Sequence, residues 1–328
     1  MSLLRYLPPF RSLYQSITQL RRRVDQLKAQ RNAARAERDA WKGRYKEAHA
    51  ANKLLLREAN VAPHRCLAAI DALRTGGPPT THLDPATRLA VLDTVSPLVS
   101  PEDDMTWSSE ADFYFEIGLS ALNFIEHARQ LAGNPPPTQI LDLPSGHGRV
   151  LRFLKARFPA ARLTACDLLE DGINFCAANF GATPVLSDPD PAEIDLPTDS
   201  FDLIWVGSLV THLDAPAYRS FLRQFARWLA PGGLLLFTSH GHAAADKARE
   251  GNSYFLSEEG HRAMLEGYQQ SGFGYADYPK CPGYGVSLSS RAWVVRSLAQ
   301  EAPQLALVAA WEAAWGGYHD IFVCRRPR

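Results

Sequence analysis

The run Ile140-Leu141-Asp142-Leu143-Pro144-Ser145-Gly146-His147-Gly148-Arg149 constrains this chain more than any other part of its 328 residues. An apolar run, a carboxylate and two closely spaced glycines stand immediately before an amphipathic pattern. A buried strand that ends in this way delivers Asp142 to the carboxyl edge of a sheet. Gly146 and Gly148 then let the backbone pass close to a bound molecule, where a Cβ would obstruct it.

The chain after the loop repeats this grammar. Val150, Leu151, Leu154 and Phe158 keep helical spacing, leaving Arg149, Arg152, Lys155 and Arg157 for a polar face. Pro159 ends that helix, and Arg162–Asp167 reads as a second strand closing on an acid. A strand, glycine turn, helix, strand and acid form a nucleoside-binding half of a doubly wound sheet, with Asp167 and the adjoining Leu168 at the ribose. Thr183–Asp188 follows as a short strand, with Asp188 where an adenine edge would be held. Phe201–Leu209 is a fourth strand running into the small-residue turn at Gly207 and Ser208. Tyr218, Phe221, Leu222, Phe225 and Leu229 predict a helix stopped by Pro231-Gly232-Gly233, and Leu234–Thr238 a fifth strand. Ser290–Ala299 reads as a helix, Leu305–Trp311 as a sixth strand parallel to the others, and Asp320–Cys324 as a returning seventh. The expected fold class is therefore α/β, a doubly wound, mostly parallel seven-stranded sheet.

Two cofactor classes suit such a cleft: dinucleotides and S-adenosyl-L-methionine. A dinucleotide needs a third glycine for close helix packing under a pyrophosphate, and Leu151 stands in that place. S-adenosyl-L-methionine has no phosphate and needs no such approach.

The combination of LDLPSGHGR, Asp167, FDLIWVGSLVTHL and LAPGGLLLFTSHG makes residues 138–240 resemble class I S-adenosylmethionine-dependent methyltransferases. The resemblance implies that Asp167 binds the ribose and that Ser145, Gly146, His147 and Gly148, with Asp142, line the methionyl part. One departure is Pro144, in place of the loop's usual first glycine. LDLPSGHGRVLR, GSLVTHLD, YGVSLSSRAW and GYHDIF are further similar to bacterial methyltransferases of polysaccharide and glycoconjugate assembly. That narrower resemblance implies a sugar or glycoconjugate hydroxyl as methyl acceptor. A small metabolite methylated on nitrogen or oxygen, and an idle cofactor-binding scaffold, are the alternatives.

Methyl transfer to a hydroxyl requires alignment and a proton acceptor, for which histidine is suited near neutral pH. His212 follows the fourth strand, His240 ends the fifth, and His319 with Asp320 lies in the last hairpin as a possible imidazole–carboxylate pair. These four are the candidate catalytic groups. The segment of about 45 residues from Ala243 to Ser289 is expected to cover the acceptor, with Tyr254, Tyr278 and Tyr284 among its aromatic rings. No tight ligand cluster suggests a metal.

The chain is formally neutral, which argues against a nucleic-acid partner, yet residues 1–57 carry a net charge of +10 balanced by −10 in the remainder. Within that basic arm Leu13, Ile17, Leu20, Val24 and Leu27 alternate by four and three, a heptad seam continued weakly to Leu55. A coiled coil over residues 1–58, making a homo-oligomer through residues 11–57, is the expectation; a peripheral membrane or protein partner for the basic face is the other reading. Residues 59–104 read as a helical linker and 105–328 as the catalytic domain, entered by a helix over Ala111–Leu131. Five scattered cysteines and no long apolar segment point to a reducing, cytoplasmic setting without a membrane span.

Overall fold

The computed structural model describes residues 62–75, 82–106 and 111–328; the coiled coil and oligomer seam expected in the basic arm lie outside the described residues. Among the described residues nine strands are formed: β1 (Gln139–Asp142), β2 (Arg162–Asp167), β3 (Thr183–Leu186), β4 (Phe201–Val206), β5 (Leu229–His240), β6 (Phe273–Tyr278), β7 (Cys281–Ser289), β8 (Ala306–Trp315) and β9 (His319–Arg325). Seven of them make one sheet in the order β3-β2-β1-β4-β5-β9-β8, while β6 and β7 pair as a separate hairpin. Every pairing from β3 to β5 is parallel, and β9 runs antiparallel to both β5 and β8. β8 therefore runs with the first five strands, as the sequence predicts.

The helices among the described residues are α1 (Pro63–Thr75), α2 (Pro85–Thr94), α3 (Ala111–Leu131), α4 (Leu151–Arg157), α5 (Glu170–Phe180), α6 (Ala215–Trp228), α7 (His242–Arg249), α8 (Glu258–Ser271) and α9 (Arg291–Glu301). Strand side chains alternate between two apolar layers, which is why the central strands read as continuous apolar runs. Ile140, Leu203 and Trp205 face the layer built with α3, α4 and α5. Leu141, Ile204 and Val206 face the layer built with α6 and α9. α6 is capped by Asp214, whose carboxylate accepts the Ala217 amide at 2.9 Å. It buries Tyr218, Phe221, Leu222, Phe225 and Trp228, each apolar side chain contributing about 1.5–3 kcal/mol.

Three local expectations are corrected. Residues 59–104 are not a bare linker: Cys66, Ala69, Ile70 and Leu73 of α1, with Val91 and Leu92 of α2, join the same core as α3. Pro231-Gly232-Gly233 does not separate helix from strand but falls inside β5, where pairing with β4 slips between Phe201 and Leu203. Arg152 is not on a polar face; it is 1 % exposed. Its Nε donates to Gly148 O at 3.0 Å, one Nη to Leu98 O at 2.6 Å and Ser96 O at 3.2 Å, and the other to the Tyr114 hydroxyl at 3.0 Å. Tyr114 in turn donates to Asp103 at 2.7 Å. Helical periodicity cannot anticipate this, because the partners lie outside α4, in the glycine loop, in α3 and in the segment before α3.

Replacing Arg152 with Met leaves buried carbonyls of Gly148 and Leu98 without the donors they hold, so unfolding free energy should fall by about 1–3 kcal/mol. Urea titration checks this, and a midpoint equal to wild type would contradict the role given to the guanidinium.

Candidate active site

The carboxyl ends of β1, β2 and β4 converge, as a doubly wound sheet requires. The Leu143–Pro144 peptide is cis, and the loop beyond it folds over α5. Gly146 adopts φ +49°, and a Cβ there would meet nothing within 4 Å, so its outer side is open to a ligand. Gly148 (φ +81°) serves a different purpose from the one expected, because a Cβ would lie 2.4 Å from the Phe180 ring. It is demanded by packing against α5 and not by ligand approach.

Asp142 and Asp167 end the neighbouring parallel strands β1 and β2, close enough for their charges to interact. Asp167 closes β2 and accepts the Gly146 amide at 2.8 Å and the Leu169 amide at 2.9 Å, which shapes the loop around it. Leu168 beside it is half-exposed. Asp142 is 1 % exposed, and burial together with the Asp167 charge pushes its carboxyl well above the usual carboxylate range. Its Oδ2 and the hydroxyl of Ser145 are buried without a hydrogen-bond partner. Two orphaned acceptors beside an open glycine suit a cationic group carrying N–H donors, which is what the methionyl ammonium of S-adenosyl-L-methionine offers. The donor set thus fits the expected cofactor, with Asp167 able to accept ribose hydroxyls on its remaining lone pairs. Asp188 follows β3, half-buried, with Oδ1 on the Asp190 amide at 3.0 Å. Gly207 and Ser208 end β4, with Ser208 at φ +60° and its amide held by Thr238 Oγ1 at 2.7 Å.

His147 turns its ring toward α5. Its side chain is buried, the ring lies edge-on to Phe175, and Nε2 is 3.6 Å from Asp171 of α5. It fastens the loop to the helix beneath.

The three candidate bases are brought to one edge, but hydrogen bonding separates their chemistry. β5 and β9 align His240 directly opposite His319. His240 Nδ1 lies 3.2 Å from Ser287 O, an acceptor only, so Nδ1 carries the proton and Nε2 the lone pair. His319 Nε2, 3.2 Å from His240 Nε2, must then be the donor, and its Nδ1 accepts from Thr238 Oγ1 at 3.3 Å. Both rings are consumed by this chain of bonds. Burial, joined by the neighbouring imidazoles, lowers His240 to about 3 and His319 well below its ordinary value.

Asp320 does not orient His319. Consecutive strand residues point to opposite faces, and Asp320 instead accepts the Ala313 amide at 3.0 Å, holding the irregular pairing of β8 and β9.

His212 sits in the turn Val210–His212 after β4. Its Nδ1 donates to Gly285 O at 2.9 Å, which leaves the lone pair on Nε2, and among the described residues no hydrogen bond engages that nitrogen. Burial lowers its pKa while the Gly285 carbonyl raises it. Tyr284 stacks on the ring at 5.1 Å and Tyr278 lies at 6.1 Å. Tyr254, Tyr268 and Tyr278 pack against the insertion's own small core, which includes Met264, Val286 and Leu288. Among the described residues no cluster of His, Cys, Asp and Glu could hold a metal ion, and no helix is long and apolar enough to cross a membrane.

Comparison with known proteins agrees with this geometry. Residues 140–233 match the family model of a methyltransferase domain. The fatty-acid O-methyltransferase of Mycolicibacterium smegmatis is 33 % identical over 101 residues, 30 % of this chain and 36 % of that one. The malonyl-[acyl-carrier protein] O-methyltransferase of Laribacter hongkongensis is 27 % identical over 139 residues, 39 % of this chain and 43 % of that one. The chain thus spans less than half the length of these curated relatives. Among solved structures, the 1,6-didemethyltoxoflavin-N1-methyltransferase of Burkholderia thailandensis covers 77 % of this chain and 94 % of its own, with 18 % identity and a TM-score of 0.46.

Two outcomes follow. The folded His240–His319 pair refuses protons that the unfolded chain takes up below about pH 6.5. Its stabilisation is therefore present above that pH and is lost as pH falls toward the folded value near 3. Urea midpoints should drop between pH 7 and 5, by up to about 1.4 kcal/mol per pH unit for each ring, and a flat profile would rule this out. Asp142→Asn removes a carboxyl whose ionisation opposes folding, so the ligand-free protein should melt about 2–4 °C higher while binding S-adenosylhomocysteine more weakly; calorimetry and a thermal scan measure both.

Proposed function

From a chain that carries a class I S-adenosylmethionine-dependent methyltransferase domain, we propose that it methylates a hydroxyl oxygen, with His212 as the general base. The observation that carries this reading is the tautomer of His212. Its Nδ1–H is spent on Gly285 O, so the lone pair on Nε2 is the one left for a proton at the turn beyond β4. His240 and His319, equally well placed along their strands, have no such lone pair left.

When bound, S-adenosyl-L-methionine supplies an electrophilic methyl group on a sulfonium. Asp167 would hold the ribose hydroxyls, and Asp142 with Ser145 the methionyl ammonium, which fixes the direction from which an acceptor must approach. Tyr284 and Tyr278 on the β6–β7 hairpin wall the approach and keep water from the acceptor oxygen. The acceptor's O–H proton would pass to His212 Nε2, and the Gly285 carbonyl, bonded to Nδ1–H, would favour the imidazolium that results.

The relatives favour a second reading. Two of them are named for fatty-acid and malonyl-carrier-protein O-methylation, and an ionised acid oxygen needs no base. A sugar acceptor finds no counterpart among those names, and the proposal stops at the hydroxyl.

The test is S-adenosylhomocysteine release across hydroxyl, carboxyl and amine acceptors. His212→Ala should lower kcat on a hydroxyl acceptor about 10²–10⁴-fold while calorimetric affinity for S-adenosylhomocysteine stays at the wild-type value. Undiminished turnover would remove His212 from the chemistry, and turnover confined to carboxylates would favour the second reading. Asp167→Ala should abolish cofactor binding in a protein that still melts cooperatively.

A further inference from the structure

We propose that Arg149 and Lys247 form a receptor for an anionic group on the methyl acceptor, a carboxylate or phosphate held apart from the oxygen that is methylated; this rests on the methyltransferase reading above. Arg149 directly follows the glycine loop and is half-buried. Its guanidinium lies in an aromatic slot, 5.7 Å from the Trp315 ring and 6.0 Å from the Tyr114 ring. Trp315 is fixed by its indole N–H on Ile117 O at 3.0 Å, and it borders Gly207, where a Cβ would lie 3.2 Å from the indole. The slot therefore opens at the carboxyl end of β4, beside the turn that carries His212.

Lys247 comes from the other side, on α7 beyond β5. Its ammonium sits 4.6 Å from the Tyr318 ring, and that ring packs 4.4 Å from His319 and 5.6 Å from His240. The fields of both cations reach His319, and that of Arg149 reaches Tyr318 as well. Two positive groups from separate elements thus converge on one aromatic rim.

Neither has a carboxylate within ion-pair distance among the described residues, whereas Arg129, Arg157, Arg223, Arg249 and Arg326 all do. The acid whose charge Arg149 most directly offsets is Asp142, and burial holds that carboxyl toward its neutral form. A half-buried guanidinium retained without an anion loses hydration that only an incoming anion restores. The cofactor's own carboxylate could reach Arg149, but Lys247 belongs to the insertion after β5, on the acceptor's side. A planar fork and a point charge together suit an acid group arriving with the acceptor.

The protein saturated with S-adenosylhomocysteine is titrated calorimetrically with decanoate, malonate and inorganic phosphate. At least one of the three should bind, and Arg149→Gln and Lys247→Gln should each weaken that binding about tenfold or more. Their melting temperatures and affinity for S-adenosylhomocysteine should match wild type. No heat from any of the three anions, or wild-type binding in both variants, overturns the proposal. Loss of S-adenosylhomocysteine affinity in Arg149→Gln also overturns it, by assigning the guanidinium to the cofactor. Failure of the wild type to bind S-adenosylhomocysteine at all would instead remove the methyltransferase reading.

Discussion

The guanidinium of Arg152 is the constraint from which the cleft takes its shape. It is a fully buried cation with no carboxylate in direct contact, and burying such a charge is costly unless every donor is used. Gly148 O and His147 O come from the loop, Ser96 O and Leu98 O from the segment between α2 and α3, and the Tyr114 hydroxyl from α3 itself. Tyr114, Phe115 and Phe180 pack over the cationic plane at 5.1–5.4 Å. Lysine has too few donors and no flat face, so it could not close this set. Because two of the acceptors are loop carbonyls, the same atoms that neutralise Arg152 aim the opposite side of the loop at Asp142 and Asp167. The helices before the sheet are therefore part of how the cleft is built, and not an appendage to it.

The sheet was legible because its signals are local. Apolar runs ending in Asp142 and Asp167, and a helix expected over Ala111–Leu131 and found over those residues, depend on periods that a chain carries in itself. The insertion's rings divide between a small core and a contact with His212. What could not be read was direction. Arg152 looked solvent-facing because two of its acceptors lie more than fifty residues upstream. His147 looked like a ligand contact because loop position does not say which way a ring turns, and it turns toward α5.

The three histidines show the same limit at the scale of a single nitrogen. The structure brings all three to the same end of the sheet. Their hydrogen bonding could not be read from the sequence, because it depends on register between β5 and β9 and on two carbonyls of β7. The carbonyls of residues 285 and 287 are two apart on one strand and so point the same way, one onto His212 and the other onto His240. Each fixes a proton on Nδ1. The difference is made by what meets the remaining nitrogen: for His240 it is the N–H of His319, and for His212 no hydrogen bond among the described residues.

That difference also reconciles burial with base strength. A deeply lowered imidazole is reliably neutral but a poor proton acceptor, while an unperturbed one is a better acceptor but is about half charged near pH 6.5. His240, at about 3, lies far on the weak side. His212 is lowered by burial, but the carbonyl bonded to its Nδ1–H works in the opposite direction. It is therefore held neutral by its surroundings while the bond that strengthens on protonation is already in place. The positive charges of Arg149 and Lys247 lower His319, whereas the shift of His212 comes from burial and the Gly285 carbonyl. A proposed anchor that stands apart from the proposed base would let one cleft hold an acid group and keep a neutral imidazole.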